Sequence, residues 1–331
     1  MRFGLFASLI ITLLLPAVVA AQSLGELEDG TTSFTVSVSP QYPVPYGTAT
    51  LSFLSPTIDL TSATMTIIVA GKNVYQGSVR PFAVPLGKVG SITNIVVTIA
   101  SGGTDYRQTL TVQPQDVALI AEPVSSAPVL YPGKPLVPLE GKIRVVAMSN
   151  LRSAGGKASS PSALSYSWAV DGVKIANASG IGKTTILVAS PLQYRSREIS
   201  LTVMSQDGGL VGGATLSLSA EEPSVRVYEN SPLLGIRFDR ALSGTHTIEG
   251  AESTLYAAPF SLPTTTGTPL LQWFLNGDAV QTGNALTLRP TGSGRGTATL
   301  SFVASAGDYS KATANLSLSF GAQPSTNLFG L

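Results

Sequence analysis

The only histidine of the chain, His246, lies in the polar run Ser243-Gly244-Thr245-His246-Thr247. A serine–histidine–acid relay would need that imidazole within hydrogen-bond reach of a nucleophile and oriented by a carboxylate. No Gly-x-Ser-x-Gly elbow offers the nucleophile, and the run reads as a solvated loop. One histidine cannot build a multi-histidine metal site. The chain has no cysteine, which removes a thiolate zinc centre, a cysteine nucleophile, a disulfide framework and a lipid-modified N-terminal cysteine together.

Three further stretches carry chemistry-bearing residues. Ser179-Gly180-Ile181-Gly182-Lys183-Thr184-Thr185 ends like a phosphate-binding loop. That loop needs a glycine where Asn177 stands, and a helix after it whose N-terminal amides face the phosphates. The run instead falls between strand-like segments and reads as a turn, as does Thr291-Gly292-Ser293-Gly294-Arg295-Gly296-Thr297. Asp105, Asp207 and Asp308 stand singly in segments that read as loops. Calcium takes about six to eight oxygen ligands, and no Asp-x-Asp-x-Asp spacing gathers them, so turn chemistry is the simpler role. No pair of carboxylates is marked out for glycoside hydrolysis. The expectation is therefore a chain with no catalytic residues, no metal and no cofactor.

The remaining candidates are apolar. Leu328, Phe329 and Leu331 are out of place in the tail 321–331, where Gly321 and Pro324 would keep the chain solvated. A short apolar peptide of this kind can add to a sheet edge or fill a groove, so the three form a candidate partner-binding segment. Trp168 and Trp273 could stack on a sugar ring or pack in a core. Their place in alternating strands favours the core.

The elements that hold these residues are strands. In Leu164–Gly172, Tyr166, Trp168 and Val170 point one way and Ser165, Ser167 and Ala169 the other, followed by the turn dipeptide Asp171-Gly172. The pattern returns at Leu271-Gln272-Trp273-Phe274-Leu275-Asn276-Gly277 and, weakly, at Met65-Thr66-Ile67-Ile68-Val69-Ala70-Gly71. Ile67, Trp168 and Trp273 are equivalent positions about 100 residues apart, the size of an Ig-like sandwich. The closing strands repeat too: Gln108-Thr109-Leu110-Thr111-Val112, Ala214-Thr215-Leu216-Ser217-Leu218 and Ala314-Asn315-Leu316-Ser317-Leu318.

On these residues the chain resembles tandem bacterial Ig-like and PKD-like domains, which carry Tyr-x-Trp-x-x-x-Gly or Trp-x-x-(Asp/Asn)-Gly on the third strand. Tyr166, Trp168, Asp171 and Gly172 match the first pattern and Trp273, Asn276 and Gly277 the second, while Ile67 departs from it. The arrangement is also similar to exported bacterial proteins with tandem domains of this kind. The resemblance implies a β-sandwich and a spacing or binding role, and transfers no site residue.

Composition agrees. Only 12% of the 331 residues are charged, and short β-rich runs are separated by Gly, Pro, Asn and Ser. Basic and acidic residues number 20 and 19, which argues against a nucleic-acid or anionic-membrane partner. Residues 1–21 read as a signal peptide: Arg2, an apolar run from Leu5 to Leu15, Pro16, then Ala20-Ala21. The largely apolar stretch taken whole, from Phe3 to Ala21, nearly reaches the ~20 residues of a membrane span, so an uncleaved anchor is the rival reading. The expected organisation is a leader (1–21), a flexible lead-in (22–32), three Ig-like domains (33–114, 115–223, 224–320) and a tail (321–331). The chain is thus expected to be all-β and exported, to the periplasm, cell surface or medium. It would be a non-enzymatic structural, adhesion or interaction module whose partner is an envelope or surface protein or a glycan. A carbohydrate-binding or glycan-hydrolysis accessory protein is the alternative, and it would place aromatics toward solvent in a cleft.

Overall fold

The computed structural model describes residues 34–128, 131, 133–265, 267–291 and 295–321. The leader, the lead-in and the tail segment with Leu328, Phe329 and Leu331 lie outside them. The described chain is strand and turn, with two single 3-10 turns and no α-helix. Contacts divide it into two compact units, which meet in sequence at Pro114 and Gln115.

The first unit is one sandwich of seven strands. These are β1 (Thr35–Ser39), β2 (Thr48–Leu54), β3 (Thr64–Val69), β4 (Lys72–Ser78), β5 (Phe82–Pro85), β6 (Thr93–Ser101) and β7 (Thr104–Val112). A sheet β1-β2-β5 faces a sheet β4-β3-β6-β7. Alternation puts Leu51, Met65, Ile67, Ile95, Val97 and Ile99 between the sheets, all fully buried. The outward residues of β1 and β2 are Thr35, Ser37, Ser39, Thr48, Thr50 and Ser52, with the exposed Leu54 at the end of β2.

The second unit holds two sandwiches. Its first comprises β8 (Asp116–Pro123), β9 (Lys142–Asn150), β10 (Ser165–Val170), β11 (Val173–Lys174), β12 (Gly180–Ile181), β13 (Thr185–Ala189), β14 (Ser196–Met204) and β15 (Val211–Ser219). A sheet β8-β9-β13 faces β11-β10-β14-β15, with β12 on the end of β10. Apart from β12, this is the connectivity of the first unit.

The last sandwich elaborates the pattern. It comprises β16 (Ser224–Ser231), β17 (Gly235–Leu242), β18 (Thr245–Ile248), β19 (Ser253–Phe260), β20 (Leu270–Leu275), β21 (Asp278–Thr282), β22 (Ala285–Leu288), β23 (Gly296–Ala306) and β24 (Ser310–Phe320). The sheets are β17-β16-β19-β22 and β18-β24-β23-β20-β21. Strands β17 and β18 have no counterpart in the other sandwiches. Strand β18 lies parallel to β24, with His246 opposite Leu318.

The strands that carry Ile67, Trp168 and Trp273 end in turns of the same form. The residues before the turn glycines, Ala70, Asp171 and Asn276, have φ of 49°, 51° and 51°, and Gly71, Gly172 and Gly277 also have positive φ. Two successive positive-φ residues are what a tight hairpin of the right twist requires. Two turn side chains add a bond. Asp171 Oδ1 accepts from Glu198 N and Asn276 Oδ1 from Thr299 N, each at 2.9 Å. Ala70 has no side chain to do this.

The two sandwiches of the second unit are joined along a built seam. The segment that leaves β8 runs onto the last sandwich: Ser126 N donates to Leu262 O (2.7 Å), Ser261 N to Ser126 O (3.2 Å) and Thr264 N to Val124 O (3.1 Å). Tyr131 meets Phe260 edge-on at 5.1 Å. The fully buried Ser261 donates its hydroxyl to Glu221 O at 2.9 Å. At a second point Glu140 grips the β23–β24 turn, accepting from Tyr309 N (2.8 Å) and Ser310 Oγ (3.1 Å). Gly307, with φ of 65°, lets the carboxylate approach, since a Cβ there would come within 2.8 Å of Glu140 Oε2. The apolar runs at 128–131 and 232–234 look equivalent in sequence. The structure separates them: Tyr131 packs on the neighbouring sandwich, whereas Leu233 and Leu234 form the tip of the β16–β17 hairpin.

Candidate functional site

The residues singled out by type go to different places. Trp168 and Trp273 are fully buried, and each indole Nε1 donates to a backbone carbonyl, Lys183 O at 2.8 Å and Gly283 O at 3.0 Å. Neither ring presents a face to a sugar. Ile67 fills the matching position of the first sandwich. The glycine-rich run 179–185 serves Trp168. Ser179 Oγ accepts from Trp168 N, and the Lys183 carbonyl takes the indole proton. Gly182, at φ of 69°, supplies the turn that this needs.

The isolated aspartates also have local roles. Asp207 accepts from Ser205 Oγ and from Gly209 N, and the Ser205 hydroxyl holds its carboxyl below the usual carboxylate range. Asp308 belongs to the turn gripped by Glu140, and Asp105 lies within β7 rather than in a loop. Among the described residues no group of three or more His, Asp or Glu side chains could hold a metal ion.

His246 departs from its expected setting. It belongs to strand β18 and is half-buried, because the parallel pairing with β24 draws Thr245–Ile248 onto the sandwich. Burial lowers its pKa from the ordinary value of 6.5, against a smaller upward pull from Glu229 and Glu249. Its Nε2 is 3.3 Å from Ser253 Oγ.

The imidazole lines a polar cleft of about 540 Å³. One wall comes from β16 and β17, and the pairing between them explains why. Tyr228 is opposite Ala241, and Asn230 is opposite Ile236, so Glu229 alone faces the four residues Arg237–Arg240. Such a bulge re-aims side chains. Here it brings both Arg237 and Arg240 to the cleft. The other wall is β18 with the turn into β19, which contributes Thr245, Thr247, Glu249, Glu252 and Ser253. Arg237 is held by Asp239 at 3.0 Å, and Glu252 by Arg289 at 2.7 Å. Among the described residues the side chains of Glu229, Glu249 and Arg240 form no ion pair. No motif announces this cleft. The available signal is local charge: residues 229–252 include Glu229, Arg237, Asp239, Arg240, Glu249 and Glu252 in a chain only 12% charged.

Phe238 of the bulge packs on a second, smaller apolar cluster built on the buried Tyr228, Ala258 and Phe260. Phe238 meets Tyr228 edge-on at 5.1 Å and Tyr256 at 6.2 Å. Burial raises the pKa of both tyrosines. The tip of the β16–β17 hairpin leaves Leu233 94% and Leu234 70% exposed.

No family model matches the chain, and no curated protein matches it. Solved structures similar to it are arrays of small β-domains. The central fibronectin-III array of RIM-binding protein is 11% identical, with a TM-score of 0.29, covering 85% of this chain and 93% of its own. Three N-terminal domains of the highly immunogenic outer capsid protein of bacteriophage RB49 are 13% identical, with a TM-score of 0.24, covering 88% and 100%. Fibronectin(III)-like modules of Clostridium thermocellum CbhA are 10% identical, with a TM-score of 0.23, covering 60% and 95%. Among the described residues no helix is long and apolar enough to cross a membrane.

Proposed function

We propose that the chain is a non-enzymatic structural or interaction module, exported to the cell envelope or surface, that presents binding surfaces on fixed sandwiches. The observation that carries this is the seam within the second unit. Backbone pairing of 124–126 with 261–264, the buried Ser261 and the Glu140 grip hold two sandwiches as one body. Charge-assisted bonds between modules cost side-chain and backbone freedom, and that cost serves a purpose when the angle between modules matters to a partner. The leader-like residues 1–21 support export. The partner we expect is another envelope or surface protein, with Leu328, Phe329 and Leu331 as the first docking segment to test.

The test is a crosslinked pull-down from intact envelope with the full chain and with a chain lacking 321–331. A specific envelope protein retained by the full chain supports the reading, and its loss with the tail places the contact there. If no protein is enriched while a glycan array gives saturable binding, the carbohydrate-binding alternative replaces it.

A further inference from the structure

The cleft around His246 is built from parts that a sandwich does not need. Strands β17 and β18 are additions to the connectivity of the other two sandwiches, and the bulge opposite Glu229 is an irregularity within one of them. Bulges disrupt the hydrogen-bonded ladder and concentrate beside functional sites. This one turns Arg240 toward the same space as Glu229 and Glu249, which belong to two other segments. Three charged side chains of both signs thus face one cleft with no ion pair among the described residues. The cleft volume falls within the usual range for small-molecule sites.

The chemistry of the lining narrows the ligand. Arg237 is engaged by Asp239 and Glu252 by Arg289, so two carboxylates and one guanidinium are left to offer. No Phe, Tyr or Trp ring lines the cleft, which removes the broad stacking surface a sugar would use. Hydroxyls of Ser243, Thr245, Thr247 and Ser253 and the imidazole of His246 supply neutral donors and acceptors between the charges. The matching ligand carries a cationic nitrogen for the carboxylates and a carboxylate for the guanidinium, which binds such groups in fork geometry.

We propose that this cleft binds a small zwitterion, an amino acid or a short peptide. The ammonium would lie between Glu229 and Glu249 and the carboxylate on Arg240. This site is independent of the protein-docking role and stands or falls separately from it.

His246 is the only histidine of the chain, so an isotope-labelled imidazole gives a single reporter resonance inside the cleft. The full chain would be titrated with glycine, diglycine and triglycine, which span a range of charge separations. Acetate, methylammonium and maltose serve as controls. The proposal expects a saturable shift of the His246 resonance with at least one zwitterion. Its affinity should fall tenfold or more in Arg240→Gln and in Glu249→Gln, with Arg240→Lys retaining part of it and thermal unfolding unchanged in each. It is overturned if no zwitterion gives a saturable shift, if maltose or acetate alone reproduces it, or if both variants bind like the parent. The wild-type titration decides the matter even if a variant folds poorly.

Discussion

The indole of Trp168 donates its Nε1 proton to the Lys183 carbonyl at 2.8 Å, so the largest core side chain of the second sandwich also closes the loop that follows it. Trp273 and Gly283 repeat the relationship at 3.0 Å. Two effects are therefore separable by mutation. Trp168→Ala removes the ring and leaves a cavity, and should destabilise the second unit by about 3–5 kcal/mol. Trp168→Phe keeps most of the ring but removes the bond to the Lys183 carbonyl, which costs about 0.5–1.5 kcal/mol. Urea unfolding followed by the fluorescence of the remaining Trp273 checks both. A Trp168→Ala variant that unfolds like the parent would contradict the packing account.

The turn residues give a prediction of gain. Asp171 and Asn276 each accept a backbone proton from the neighbouring strand, from Glu198 and Thr299, while Ala70 occupies the same positive-φ position with no acceptor. Asparagine tolerates that conformation better than alanine because its side chain can bond locally. Ala70→Asn should therefore stabilise the first sandwich by about 0.5–1 kcal/mol, and Asp171→Ala should cost the second about 1 kcal/mol. The two denaturation midpoints should move in opposite directions.

The seam yields a third prediction. Glu140 accepts from Tyr309 N and Ser310 Oγ across the junction of the two sandwiches. Bonds to a charged acceptor are the stronger kind, at about 1.5–3 kcal/mol each. Glu140→Ala should speed amide exchange at Asp308 and Tyr309 by about tenfold or more while the core strand β14 keeps its protection. Equal acceleration in β14 would mean that the variant loosens the whole sandwich, and no change at Tyr309 would mean that the grip does not hold in solution.

The all-β architecture was legible because its signal is local. In β10, Tyr166 and Trp168 alternate with serines, and Asp171-Gly172 ends the strand, so period and turn agree over eight residues or so. Strands β17 and β18 left no such trace. The alternation Ile236-Arg237-Phe238-Asp239 breaks at Arg240, within the bulge, and β18 has four residues whose partner, β24, lies some 70 residues away in sequence. Tyr131 packs on Phe260 of the next sandwich, a contact across about 130 residues that leaves no local signal. The cleft was hidden for the same reason. Its charges outside the ion pairs come from 229, 240 and 249, on three different segments that the fold brings together.

His246 makes the last prediction a matter of sign. Its pKa in the folded chain is lowered, first by burial, with Glu229 and Glu249 opposing the shift. The unfolded chain, with an ordinary histidine near 6.5, therefore binds the proton more readily than the folded one. Stability from this residue is complete above about pH 6.5 and declines as the pH falls from there toward the folded-state value. Nuclear magnetic resonance titration of the imidazole should give a midpoint below 6.5. Glu249→Gln removes one of the two carboxylates that favour the charged ring and should push the midpoint lower still. A midpoint at or above the ordinary value would show that the two carboxylates outweigh burial, and would reverse the direction of the pH effect.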